Sequence, residues 1–263
     1  MNKQCYLFVL LIFWISQLFS QTNSGSRLTA MGNISAAVND VWGVATNPAA
    51  ICDVMQPTAQ LSHQEHHFSK SIRNQGLAVV IPKGRQVFGL SLQRYGIPEY
   101  HTLRAGIVAT RQFGPQLAIG IRGNYHQLKI DQYGLTTAIS VDLGAIYRLS
   151  AEMSVGLYID NLSKQGYRTG TAHTDIPSLA YVGIAYRTSA KLLIASTLSK
   201  DDIAIGLDYR FIELISLRAG VSLNPYIHYF GLGFNPSKFL VDFAFTKHSN
   251  FGFSPQLTIG YVF

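Results

Sequence analysis

Charged residues are scarce in this chain of 263 residues, because Asp, Glu, Lys and Arg make up only 13 % of it, about half the usual share of a soluble domain. Cysteine is nearly absent too. Cys5 lies within the first twenty residues, so their removal would leave Cys52 with no intramolecular disulfide partner. After residue 21 no apolar run is long enough for a membrane-spanning helix. If the chain enters a membrane, it must do so as a closed β-barrel.

The first twenty residues have the features of a secretory signal peptide. Lys3 supplies a positive start, residues 6–15 are an apolar core, and Ser20 is a small residue at the expected cleavage point. The apolar core is too short to span a bilayer comfortably, and Cys5 precedes it instead of following it. We therefore favour export with cleavage over a helical anchor or a lipoprotein.

From about residue 57 onward, apolar side chains alternate with small or polar ones. In residues 117–126, for example, Ile119 and Ile121 face one way, whereas Gly120 and Arg122 face the other. A soluble β-sandwich also alternates, but its polar face would be rich in Lys and Glu. Here the polar face is rich in Gly, Ala and Ser, and tyrosines border the apolar face, as in a lipid-exposed barrel. The sequence predicts an all-β transmembrane antiparallel β-barrel in residues 57–263.

About fourteen segments carry this alternation, an even number within the range of outer-membrane barrels. They are residues 60–68, 76–82, 87–94, 102–112, 116–129, 135–149, 153–161, 179–187, 191–198, 203–211, 216–223, 229–234, 240–246 and 256–263. The connections are short and carry turn-forming residues such as Gly, Pro, Asn, Asp or Ser. The longest, residues 162–177, is predicted to be an extracellular loop.

The last predicted strand places four side chains on the apolar face: Leu257, Ile259, Tyr261 and Phe263. This strand must pair with the first one, because an open edge is not tolerated in lipid. A last strand that ends in Phe resembles the signal recognised by the barrel-assembly machinery of the outer membrane. That machinery and the membrane lipid are the expected partners.

Residues 21–56 do not alternate. They resemble the N-terminal segment of FadL-like outer-membrane barrels, a family that includes the PorV and PorQ proteins of type IX secretion. The similar positions are Gly25, Arg27, Met31, Gly32, Ala37, Val38, Asp40, Asn47, Pro48 and Ala49. The resemblance covers this segment closely and the remaining chain by architecture only. It implies that residues 21–56 form a plug, or hatch, inside a fourteen-stranded barrel in the outer membrane of a Gram-negative bacterium.

Nine charged residues are predicted to face the lumen: Arg104, Arg122, Asp142, Arg148, Arg187, Asp208, Arg210, Arg218 and Asp242. Positive charges outnumber negative ones, so we expect carbonyl groups of the N-terminal segment, Asp40 or Asp53 to complete the network. The simplest interpretation is that these charges brace or hydrate the lumen, and a transport role is the alternative.

The sequence contains no nucleophile elbow, paired carboxylates or Gly-rich phosphate loop. Ser140, His126 and Asp142 have the chemistry of a triad but no motif. We therefore expect no enzyme, no cofactor and no metal site, and the scattered basic residues argue against a nucleic-acid partner.

The short connections leave no room for the long loops with which FadL-type transporters capture hydrophobic ligands. The sequence therefore favours an accessory barrel of the PorV and PorQ kind, which acts within a larger protein complex in type IX secretion or surface assembly. Passive transport of small hydrophobic molecules is the alternative.

Overall fold

The computed structural model describes residues 22–66, 69, 71–169, 172–249 and 252–263, with backbone alone for residues 168, 169, 172 and 173. The signal peptide predicted in residues 1–20 lies outside this range. Within it, every helix is too short or too polar to cross a membrane.

Residues 22–57 form short helical pieces joined by turns. They comprise helix α1 (Gly25–Ala30) and two 3₁₀ turns, η1 (Val41–Val44) and η2 (Pro48–Ile51). The Asp40 carboxylate accepts a hydrogen bond from the backbone N–H of Trp42 at 2.8 Å and so caps η1. Asn47 caps η2 in the same way, and Pro48 begins that turn because its fixed φ suits a first helical position.

The barrel strands follow in chain order. They are β1 (Thr58–Glu65), β2 (Arg73–Lys83), β3 (Gln86–Gly96), β4 (Tyr100–Phe113), β5 (Leu117–Ile130), β6 (Gly134–Arg148), β7 (Met153–Asp160), β10 (Leu179–Arg187), β11 (Leu192–Ser199), β12 (Ile203–Ile212), β13 (Ile215–Leu223), β14 (Tyr226–Phe234), β15 (Phe239–His248) and β16 (Gly252–Val262). A separate hairpin, β8 (Gly166–Thr169) and β9 (Ala172–Asp175), lies between β7 and β10.

The fourteen barrel strands form one closed antiparallel sheet. Each pairs with its sequence neighbours in the barrel, and β1 pairs with β16 so that Thr58 lies opposite Val262. This confirms the predicted fourteen-stranded barrel. We call the end that contains Thr58 and Val262 the terminus end, and the opposite end, which contains the β8–β9 hairpin, the loop end.

Several predicted strand bounds were too short. Strand β2 begins at Arg73 instead of residue 76, β14 at Tyr226 instead of 229, and β16 at Gly252 instead of 256. Polar residues at these ends interrupt the apolar pattern but still pair with neighbouring strands. Strand β1 is shifted, since it was predicted at residues 60–68, of which 67 and 68 lie outside the described residues. The hairpin in residues 162–177 was missed, because strands of four residues are too short to show a period.

The two faces of the barrel differ as predicted. Large apolar side chains cover the outer face, as shown by Ile107 and Ile139, which are 71 % and 68 % exposed. The apolar core instead lies inside the barrel, where Trp42, Met31 and Val44 of the N-terminal segment pack near inward-facing wall residues.

The barrel wall is uneven in height. Strands β4, β5 and β6 have 14 to 15 residues, whereas β7 and β11 have 8. Strand β6 pairs with β7 only from Leu143 to Arg148, so its remaining part extends past β7 at the loop end.

Candidate functional site

The N-terminal segment lies within the barrel and contacts the wall closely. A Cβ atom on Gly156 would overlap the carbonyl oxygen of Ala36, and one on Gly206 would overlap that of Met31. Glycine lets the segment's backbone reach the strands at these points. Trp42 is buried, and its indole N–H donates a hydrogen bond to Gln60 Oε1 at 2.7 Å.

A buried network of charged groups joins the wall to this segment on the loop side. The guanidinium of Arg122 donates to Asp142 at 2.6 Å and to Asp160 at 2.9 Å. It also donates to the backbone carbonyls of Val44 at 3.0 Å and Thr46 at 2.8 Å. Arg122 is fully buried, so these four acceptors replace the water that its charge has lost.

Arg104 extends this network toward the loop end. Its guanidinium donates to Asp142 at 2.8 Å and to Asn124 at 3.0 Å. Asp142 also accepts from the side-chain amide of Asn124 at 2.6 Å and from the backbone N–H of Asn161 at 2.7 Å. The Asp142 carboxylate therefore binds two arginines and two N–H donors, which stabilise it as an anion.

A second network lies on the terminus side. Arg27 of α1 donates to Asp40 at 2.7 Å and to Asp208 of β12 at 3.0 Å. Arg218 lies 3.3 Å from Asp208 and forms a short ion pair with Asp242. Burial alone would lower the pKa of Arg27, but the charges of Asp208 and Asp40 offset it and raise that pKa. Arg27 stays charged and connects the segment to the wall.

The end of η2 is tied to the terminus end by Arg148. Its guanidinium forms an ion pair with Asp53 and lies 3.7 Å from the sulfur of Cys52. Cys52 is a free, buried thiol. Burial, followed by the charge of Asp53, raises the pKa of Cys52 to about 12, so the thiol is protonated at neutral pH.

The loop end of the lumen contains a cavity of about 330 Å³ above the N-terminal segment. Tyr158 and Tyr181 form part of its wall and stack with ring centroids 4.4 Å apart and planes 9° apart. Leu179, Ile176 and Tyr229 add apolar surface, and the charged network described above supplies the polar part. The cavity is therefore amphipathic and within the size range of small-molecule sites.

Ser140 and His126 also reach this cavity, and Ser140 Oγ lies 2.7 Å from His126 Nε2. The third group of a triad would have to bind His126 Nδ1. Asp142 instead binds Arg104, Arg122 and the two N–H donors named above. The three side chains share a region but not the geometry of a catalytic triad.

The predicted lumen residues separate into two networks and one unpaired group. Arg104, Arg122 and Asp142 belong to the loop-side network, and Asp208, Arg218 and Asp242 to the terminus-side network. Arg148 pairs with Asp53, one of the two carboxylates that the sequence analysis offered as partners for the lumen charges. Arg187 and Arg210 line a terminus-end cavity and form no ion pair with the described residues.

The residues of the predicted plug motif have distinct positions. Arg27 and Asp40 form an ion pair, Asn47, Pro48 and Ala49 form η2, and Met31 and Gly32 follow α1 next to β12 and β13. In β16, Leu257 and Ile259 are exposed on the outer face, as is Phe263 just beyond it, and the Tyr261 ring packs edge-on against Phe263.

Sequence reasoning missed Asp160, Tyr158 and Tyr181. Asp160 lies in the predicted strand 153–161, on the same face as Gly156 and Tyr158, so the alternation itself could have revealed it. Tyr181 faces the lumen too, although tyrosines were interpreted as a membrane-interface feature.

Solved structures provide the informative comparison. The toluene transporter TbuX of Ralstonia pickettii matches with a TM-score of 0.69 and 13 % identity, over 91 % of this chain and 98 % of that one. The monoaromatic hydrocarbon channel CymD matches with a TM-score of 0.70 and 14 % identity, over 93 % of this chain and 99 % of that one. A FadL homologue of Pseudomonas aeruginosa matches with a TM-score of 0.69 and 12 % identity, over 91 % of this chain and 98 % of that one.

This chain has the FadL-type barrel fold. The identities are low, so the likeness concerns architecture. No family model matches the sequence, and no curated protein does. The FadL-like part of the sequence resemblance is supported, whereas closeness to PorV and PorQ stays a prediction. Two of these three proteins are named as a transporter and a channel.

Proposed function

We propose that this FadL-type barrel is a passive transporter of small, largely apolar molecules in the outer membrane of a Gram-negative bacterium. In this proposal residues 21–56 act as the plug, and the loop-end cavity receives the transported molecule. The loop end then faces the exterior and the terminus end the periplasm.

The cavity at the loop end carries the proposal. Its stacked tyrosines and its Leu179 and Ile176 side chains offer an apolar surface to a small ring or chain, while Arg104 and His126 lie on the polar side. Below it the N-terminal segment fills the lumen, so a bound molecule can proceed only if that segment moves.

This proposal differs from the sequence-based preference for an accessory barrel. That preference depended on the lack of room for long ligand-capturing loops. The solved toluene transporters and hydrocarbon channels match the fold over nearly their whole length, which supports the transport alternative. The cavity supports it too, since its lining comes mainly from barrel strands and the N-terminal segment, with Asn161, Ile176 and Pro177 from the β7–β10 connection.

Uptake of a small aromatic hydrocarbon tests the proposal. Cells that produce the chain should take up radiolabelled toluene faster than cells without it, and Tyr181→Asp should abolish most of the gain by placing a charge in the apolar wall. The control is Tyr186→Phe, on the outer face of the same strand, which should retain uptake. An aspartate at that position would instead disturb the membrane contacts. Equal uptake with and without the chain would refute transport of this class.

The plug role has its own test. Deletion of residues 25–51 should convert a closed barrel into one with steady ionic conductance in planar bilayers, because the lumen would lose its filling. The same low conductance in the full chain and in the deletion variant would show that these residues do not close the lumen.

An accessory role is the second candidate, favoured by one observation. The β5–β6 hairpin extends beyond β7 and exposes large apolar side chains near its tip, with Tyr133 80 % and Leu135 57 % exposed. Such a tip suits contact with a protein partner. Affinity purification from native membranes should recover a large complex if this role applies, and Tyr133→Ser with Leu135→Ser should release it.

A further inference from the structure

The terminus end contains a second cavity of about 330 Å³, between the N-terminal segment and strands β10 to β15. Three cations line it without a carboxylate partner among the described residues: Arg187, Lys191 and Arg210. The other arginines around it are already paired. We propose that this cavity is a binding site for a phosphate group carried as a dianion.

The register of the strands brings two of these cations together. The backbone N–H of Arg210 donates to the carbonyl of Lys191 at 2.7 Å, which extends the β11–β12 pairing one position beyond Leu192 and Tyr209. Lys191 and Arg210 therefore lie directly opposite each other, and both line the cavity. Like charges in this arrangement repel each other and destabilise a sheet. A bound anion between them would remove that cost.

Arg187 completes the group from the adjacent strand. It lies opposite Leu193, which in turn lies opposite Asp208, so Arg187 faces the lumen. Lys191 lies two residues before Leu193 and is therefore close to Arg187 along the wall. The three cations thus lie side by side on one part of the barrel wall, at the end of β10, just before β11 and near the end of β12, and all line the same cavity. An anion held there is contacted by two guanidinium groups, which suit oxyanions, and one ammonium.

The charge balance indicates a dianion. The carboxylates that line the cavity are Asp40, Asp53, Asp208 and Asp242, and each forms an ion pair with Arg27, Arg148 or Arg218. These four carboxylates exceed their three arginine partners by one charge. The three unpaired cations then leave a surplus of two positive charges, which matches a phosphate monoester near neutral pH.

A polar side chain in the same cavity has unused hydrogen-bonding capacity. Asn235 lines it, and the side-chain Oδ1 of that residue is shielded from solvent without a hydrogen-bond partner. That oxygen can accept a hydrogen bond from a hydroxyl group next to the phosphate. The site does not depend on the proposed transport activity, because it lies at the opposite end of the lumen from the loop-end cavity.

Thermal unfolding of the full chain in nonionic detergent tests this site, with inorganic phosphate as the probe and chloride at equal ionic strength as the reference. Phosphate should raise the unfolding midpoint saturably. Lys191→Gln and Arg210→Gln should each weaken the apparent affinity, on the order of tenfold, because each removes one charged contact. Arg85→Gln, at the same end of the barrel but outside the cavity, should leave the affinity unchanged.

The chloride reference gives a second readout with the opposite sign. Without phosphate, Lys191→Gln and Arg210→Gln should raise the midpoint above that of the wild type, because they remove the repulsion between the opposed cations, whereas Arg85→Gln should not. An identical response to phosphate in the wild type and in both cavity variants would overturn the proposal.

The source of the phosphate is decided by adding phosphatidic acid to the detergent micelles. If the site takes a lipid headgroup, the lipid should raise the wild-type midpoint at concentrations far below those needed for inorganic phosphate, and Arg210→Gln should lose that effect. If it takes a soluble phosphorylated molecule, glycerol phosphate should compete better than the lipid. Failure of both ligands, together with inorganic phosphate, would exclude a phosphate site.

Discussion

Arg122→Met is expected to detach part of the N-terminal segment from the barrel wall. Arg122 is fully buried, and its guanidinium binds two carboxylates of the wall and the carbonyl oxygens of Val44 and Thr46. Methionine fills much of the same volume but offers no donor. Among the described residues, Arg104 would then be the one arginine left beside the carboxylates of Asp142 and Asp160.

The size of the effect follows from the burial of this network. Removal of one partner from a buried ion pair costs about 3 to 5 kcal/mol, and we take the lower end because Arg104 remains. Since about 1.4 kcal/mol corresponds to a tenfold change in an equilibrium, the detached population should rise on the order of 100-fold. Arg122→Lys should give a smaller rise, because the ammonium keeps the positive charge and part of the contacts, although it cannot reach all four acceptors.

Alkylation of Cys52 measures this population. Cys52 follows η2, which packs against η1, and Arg122 binds the carbonyl of Val44 at the end of η1 and that of Thr46 just before η2. Detachment of this part of the segment therefore exposes the thiol. A maleimide should therefore label Arg122→Met much faster than the wild type in detergent, and single-channel recordings should show more frequent openings. Arg111→Met, an exposed position on β4, should leave both unchanged. Wild-type labelling and conductance in Arg122→Met would show that this network does not hold the segment in place.

Two further predictions concern the same segment. Burial and Asp53 raise the pKa of Cys52 to about 12, so the thiol should be alkylated more slowly in the native barrel than in the urea-unfolded chain, on the order of 1000-fold at pH 8. The native rate should rise about tenfold per pH unit. Equal rates in both states would contradict the assigned environment. Gly206→Val should lower the free energy of unfolding in urea by about 1 to 3 kcal/mol, because the new side chain would meet the backbone of Met31. Gly123→Val is the control, since a side chain there meets nothing within 4 Å. A Gly206→Val barrel as stable as the wild type would mean that the segment does not lie against β12.

The strand pattern of the barrel could be predicted because its cause is local. Each wall residue faces either the apolar exterior or the filled interior, so a period of two repeats along the chain wherever a strand crosses, as in residues 117–126. The strand ends were less predictable, because residues such as Arg73 and Asn74 pair in the barrel without contributing to the apolar pattern.

The lumen could be predicted only in part. Inward charges such as Arg122 and Asp208 were identifiable by their parity, and the involvement of the segment's carbonyls was expected from the excess of positive charge. Which charges meet was not predictable, because Arg27 lies 181 positions from Asp208 and their contact depends on how the segment enters the barrel. The loop-end cavity escaped prediction for the same reason, since its lining comes from distant strands.

The unequal strand lengths determine how the molecule would sit in lipid. An 8-residue strand such as β7 extends about 27 Å and, at a tilt of about 40°, covers only about 20 Å of bilayer, less than the apolar band of about 25 Å in typical barrels. The 15 residues of β6 cover nearly twice that height. A bilayer around this protein must therefore be compressed beside the low wall, or the cylinder must lean toward it. Acyl chains would be shortest and most disordered beside β7, β10 and β11, and β7 and β10 are the strands that contribute Tyr158 and Tyr181 to the loop-end cavity.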